Sequence, residues 1–148
     1  MREALREAYK AFEEREVPVG AVVVQNNEIM GRGHNRTESL KDPTAHAEII
    51  ALSAAANHLG SWRLAEATVY VTLEPCLMCA GALVLARVKR LVFGCFDEKF
   101  GACGSLYNIP QDDRLNHNFE VTPGVLEEES KALLQEFFKN RRLISNKW

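Results

Sequence analysis

The stretch Thr72-Leu73-Glu74-Pro75-Cys76-Leu77-Met78-Cys79 constrains this chain more than any other. An apolar, β-like run from Ala67 to Leu73 leads into Glu74-Pro75, and a helix-like run from Leu77 to Arg87 follows. Proline suits a helix's first turn, because the N–H it lacks would have no helical partner there. The segment reads as strand, turn and helix, with Cys76 and Cys79 in or near the helix N-terminus and, at i, i+3, on one face. Unpaired N–H groups and the helix dipole lower a thiol's pKa at such a place and favour the thiolate that binds metals. Two sulfurs are an incomplete metal site. Upstream, Thr44-Ala45-His46-Ala47-Glu48 supplies the residue types that are missing.

In chain order, Leu5, Ala8, Tyr9 and Phe12 recur at helical spacing within residues 2–15. Residues 21–25 and 28–33 read as two strands around Asn26-Asn27, a pair suited to a hairpin turn. A polar loop runs from His34 to Thr44, where Asp42 or Thr44 is placed to cap a helix over 45–58. A strand at 67–73, the cysteine helix at 77–87 and a strand at 89–95 follow. Residues 96–104 are a glycine-flanked loop, and 108–118 show no clear period. Residues 119–122 suit an edge strand, and Pro123-Gly124 turns it. The last helix spans 125–143, with Leu126, Leu133, Leu134, Phe137 and Phe138 as its apolar stripe. Strands alternating with helices predict an α/β layered fold with a mixed sheet.

The 148 residues suit one domain, 1–148, with a real core. No apolar run approaches the ~20 residues that span a bilayer. Four cysteines, two of them in a C-x-x-C, fit a reducing cytoplasm with a metal site better than a disulfide scaffold. A net charge of −2 argues against broad, non-specific nucleic-acid binding while leaving room for a local basic patch.

One imidazole and two thiolates are a donor set that zinc prefers, and three protein ligands leave a fourth position for water. Glu48 is then the neighbouring acid and base. Each element alone has another use. A C-x-x-C opening a helix also suits a redox dithiol, and a lone histidine ahead of a helix also suits a capping or surface role. In a regular helix, moreover, residues at i, i+2 point ~200° apart, so His46 and Glu48 would not both face one point.

Taken together, H-A-E at 46–48 and P-C-L-M-C at 75–79 match the H-x-E…P-C-x-x-C signature of the zinc nucleobase deaminases. Four segments resemble the bacterial tRNA-specific adenosine deaminases of that superfamily: V-P-V-G-A-V-V-V (17–24), D-P-T-A-H-A-E-I (42–49), V-T-L-E-P-C-L-M-C-A-G-A (71–82) and F-G-C-F-D-E-K-F-G-A-C-G-S-L (93–106). So do N-H (116–117) and L-L-Q-E-F-F-K-N-R-R (133–142), and the likeness covers nearly the whole chain.

The resemblance implies a cytidine-deaminase-like three-layer α/β/α sandwich around a mixed five-stranded sheet. It implies a cytoplasmic homodimer with one zinc per subunit, acting on the tRNA anticodon stem-loop. The reaction would be hydrolytic deamination of the wobble adenosine to inosine, with release of ammonia. Glu48 would take the water's proton, pass it to N1 and help protonate the leaving amino group. A deaminase of the same superfamily acting on free guanine, cytosine or a nucleoside would share the metal site. A structural-zinc or redox C-x-x-C protein is the rival of another class.

Further residues acquire roles by the same resemblance. Asn35 would touch the flipped nucleotide, Asp97 and Lys99 would line the RNA, and Asn116-His117 would lie close to it. Glu74 would contribute chiefly its backbone carbonyl. Phe96, Phe100 and Cys103 are bulkier or softer than the residues often found in that loop. Lys139, Arg141, Arg142 and Lys147 cluster near the last helix's end, where cations both favour a helix C-terminus and can pair with phosphate. Cys95 and Cys103 are expected as free packed thiols.

Overall fold

Asn26 and Asn27 adopt φ of 52° and 64°, the conformation that a two-residue hairpin turn needs. They join β1 (Gly20–Gln25) to β2 (Glu28–His34) as an antiparallel pair. The computed structural model describes residues 1–145, so Lys147 lies outside the described residues. Within them β3 (Thr68–Leu73) pairs antiparallel with β1, β4 (Arg90–Cys95) pairs parallel with β3, and β5 (Glu120–Thr122) pairs parallel with β4. The result is a mixed five-stranded sheet of order β2-β1-β3-β4-β5.

Helices cover both faces. α1 (Arg2–Glu13) and the terminal α5 (Glu127–Ser145) touch each other and the sheet from one side. α3 (Ala47–Leu59) and α4 (Leu77–Leu85) form the other layer. This is the expected three-layer sandwich. α3 comes close to the sheet because both surfaces are small where they meet. Ala47, Ala51 and Ala55, four apart on one face, are fully buried. A Cβ built on Gly33 would stand 2.4 Å from the Ala47 carbonyl oxygen, and one on Gly31 equally close to that of Ala51. That contact fixes the N-terminal end of α3, which carries His46 and Glu48.

Two local expectations are corrected. Neither Asp42 nor Thr44 caps α3. Asp42 Oδ1 instead accepts hydrogen bonds from the Thr44 amide and hydroxyl, at 2.8 and 2.7 Å, in a turn just ahead of it. The loop at 34–44 also contains a short helix, α2 (Thr37–Leu40). The buried Glu16 carboxylate accepts from the Glu38 and Ser39 amides, at 3.2 and 2.7 Å. It thereby satisfies N–H groups that a helix start leaves unpaired.

Candidate metal and active site

The ends of β2, β3 and β4 and the starts of α3 and α4 meet at one end of the sheet. Ligand sites of parallel sheets lie beyond such carboxyl ends. His46 is the residue before α3, in extended conformation with φ −81° and ψ 153°. Cys76 holds the same place before α4, with φ −73° and ψ 177°. His46 Nδ1 lies 3.6 Å from the sulfurs of both Cys76 and Cys79. A tetrahedral ion with ordinary Zn–S and Zn–N bonds sets sulfur and nitrogen about 3.6 Å apart. The donor set and its spacing both fit.

The His46–Glu48 difficulty disappears with this geometry. His46 is not on the helix, so the ~200° separation of a regular helical i, i+2 pair does not apply. Its extended backbone turns the imidazole to the sulfurs while Glu48, inside the first turn, is buried beside it.

The electrostatics are asymmetric. The Cys79 thiol hydrogen-bonds Cys76 and pushes its pKa down to about 4, with His46 adding to the effect. Cys79 is pushed up by the same sharing and by burial. A divalent ion bound by both sulfurs would displace the protons they carry. Burial raises the Glu48 carboxyl, since its charged form loses water. His46 is pushed up by its hydrogen bond with Cys76.

The cluster sits in a cleft of about 1710 Å³. Asn35, Glu74, Asp97, Lys99, Arg141 and Arg142 all line it, together with His46, Glu48 and Cys76. Asn35 is buried, donates from Nδ2 to the Val17 carbonyl at 3.3 Å and leaves Oδ1 without a partner. Asn116 and His117 are not brought to the cleft. Asn116 accepts from Arg87, and His117 Nε2–H donates to the Val88 carbonyl at 2.8 Å. Cys95 and Cys103 are buried free thiols.

Sequence reasoning missed part of the wall. Lys131, Gln135 and Phe138 line the cleft from the same face of α5 as Arg141, Arg142 and Ser145. Phe138, placed in the apolar stripe on sequence, is in fact 43% exposed. The signal was present in the three-to-four-residue spacing of 131, 135, 138 and 142.

The model of the MafB19-like deaminases matches residues 1–142. The chain belongs to this deaminase family. It is 54% identical over 142 residues to the tRNA-specific adenosine deaminase of Bacillus subtilis, covering 96% of this chain and 88% of that protein. A solved structure from work on A-to-I editing by tRNA:A34 deaminases at the wobble position superposes with a TM-score of 0.87 at 44% identity, covering 90% of this chain and 96% of that one. The guanine deaminase of Nitrosomonas europaea shares the fold more distantly, with a TM-score of 0.78 at 25% identity over 90% of this chain and 80% of that one.

Proposed function

We propose that this chain deaminates adenosine to inosine at the wobble position of the tRNA anticodon, with one zinc ion per subunit held by His46, Cys76 and Cys79. The observation that carries the reading is the buried Glu48 carboxyl beside a nitrogen–sulfur–sulfur trio, in a cleft larger than a single base needs. The cleft runs from the trio to Lys99, Arg141 and Arg142, cations placed for the phosphates of a polymeric substrate.

Zinc, when bound, supplies a Lewis acid that brings the pKa of water to about 7. The work of the chain is to move protons and hold the base. Glu48, its pKa raised by burial, takes a proton from the attacking water, delivers it to N1 of adenine and helps protonate the leaving amino group. Ammonia departs and inosine remains. The unpartnered Asn35 Oδ1 offers an acceptor to a donor group of the entering nucleotide. Lys99, Arg141 and Arg142 supply the local positive charge that a chain of net −2 lacks globally. Phe96 and Phe100, both exposed on the wall, suit base stacking.

The enzyme acts as a cytoplasmic homodimer. α4 turns Leu77 and Leu85 outward, 51% and 69% exposed, and a second copy would cover that apolar face. Among the described residues no helix is long and apolar enough to cross a membrane. The test is a side-by-side assay of an anticodon stem-loop with adenosine at the wobble position against free adenosine, cytidine and guanine. Inosine is expected from the stem-loop. Turnover of a free base or nucleoside with none on the stem-loop overturns the reading.

A further inference from the structure

Glu74 is 2% exposed, and its side chain is spent on a single loop. Oε1 accepts from the Asp97 amide at 3.0 Å and from the Ser105 hydroxyl at 2.5 Å. Oε2 accepts from the amides of Cys103 and Ser105 at 3.1 and 3.0 Å. A carboxylate offers about four lone-pair sites, so no acceptor capacity remains for a substrate. Asp97, held in this way, uses its own Oδ1 to accept from the Lys99 and Phe100 amides, at 3.1 and 3.2 Å. The order imposed by Glu74 therefore reaches the loop's tip. Gly101 closes the arrangement: a Cβ there would stand 2.3 Å from Glu74 Oε2. Asp97, Lys99 and Phe100 of this loop line the cleft, with Phe96 just before it.

We propose that the Glu74 side chain is a positioning residue for substrate recognition. Buried at the root of the loop 97–105, it holds that loop as the wall against which the nucleotides flanking the reacting base rest. This rests on the anticodon-loop reading above. It assigns the side chain a task distinct from both chemistry and direct contact. Burial of the carboxylate is tolerated because each oxygen meets two donors, and removing the carboxylate leaves those donors without their acceptor. The loop is thus fixed before RNA arrives, and the ordering cost of binding falls accordingly.

Three variants test this in the zinc-loaded protein. Glu74→Gln sets an amide donor against two loop donors, Gly101→Ala pushes on the carboxylate from the other side, and Ser105→Ala removes one of the four bonds. The readouts are KM and kcat on the stem-loop, metal content, and hydrogen exchange of the Asp97, Cys103 and Ser105 amides.

Glu74→Gln and Gly101→Ala are expected to raise KM about 10- to 100-fold with kcat changed little, as loss of binding shared by ground and transition states does. Metal content should stay unchanged and the three amides should exchange at least ~10-fold faster. Ser105→Ala moves the same readouts less far, and it carries the test if Glu74→Gln does not fold. The double variant Glu74→Gln/Gly101→Ala should be no worse than the more severe single one, because both act on one interaction. Faster exchange with an unchanged KM overturns the proposal, as do unchanged exchange, additive effects, or a loss confined to kcat. A wild-type chain inert on the stem-loop refutes the deaminase reading and the recognition role with it, while the exchange rates still decide whether Glu74 anchors the loop.

Discussion

Changing Arg141 and Arg142 together to glutamine removes two cations from the cleft wall and leaves the metal trio and Glu48 untouched. Each phosphate contact with a single strand contributes a slope of about −0.7 to log K against log salt, so two contribute about −1.4. Between 50 and 200 mM salt that difference amounts to a roughly 7-fold larger loss of affinity for the wild type than for the variant. The fold should survive. Both residues lie in the last turns of α5, where each cation's interaction with the helix dipole contributes roughly 0.3–1 kcal/mol. Arg141 also stands 6.0 Å over the Phe137 ring, a contact of a further ~0.5–1 kcal/mol at an exposed site. Fluorescence anisotropy of a labelled stem-loop over a salt series gives both slopes directly. Parallel plots for the two proteins would refute the phosphate contacts, however much affinity was lost.

His46→Ala, Cys76→Ala and Cys79→Ala should each lose zinc on dialysis, and stoichiometric metal in any one of them removes that residue from the ligand set. Glu48→Ala should keep its zinc while turnover falls about 10²- to 10⁴-fold; near-normal kcat would rule out the proton-carrying role. Burial pushes Cys95 up to about 11 and Cys103 higher, so both stay protonated as pH rises through 8. Mass spectrometry after brief alkylation at pH 8 should find neither one modified in the native protein. Leu85→Lys should weaken the dimer in light scattering, since a charge then enters the apolar face of α4; an unaltered dimer would put the interface elsewhere.

The hairpin and the cysteine helix were legible because their signals are local. Asn26-Asn27 tolerates positive φ, and Pro75 marks where a strand gives way to a helix. α2 was not legible. Thr37–Leu40 has no apolar period of its own, and its first amides are satisfied by Glu16, more than twenty residues earlier. The residue types of the site were readable from two short motifs, but its geometry was not. Whether His46 lies on α3 or just before it depends on a few backbone angles that no spacing encodes. Hydropathy puts Phe138 in the core, although the buried face of α5 consists of Ser130, Leu133 and Phe137. The role of the Glu74 side chain is not legible in sequence, because its partners lie more than twenty residues downstream.

His46 and Cys76 each precede a different helix, and their side chains meet although they stand thirty positions apart in the chain. An ion that joins them is therefore a covalent-like staple across α3, β3 and the start of α4. A cross-link closing a loop of that length removes roughly 4 kcal/mol of chain entropy from the unfolded ensemble. Typical domains hold only about 5–15 kcal/mol in all. Loss of the ion would then do more than silence the chemistry: it would return that entropy to the unfolded chain and raise the unfolded fraction several-hundred-fold. In a cell short of zinc, quality control would clear such a chain, so its abundance would follow metal supply.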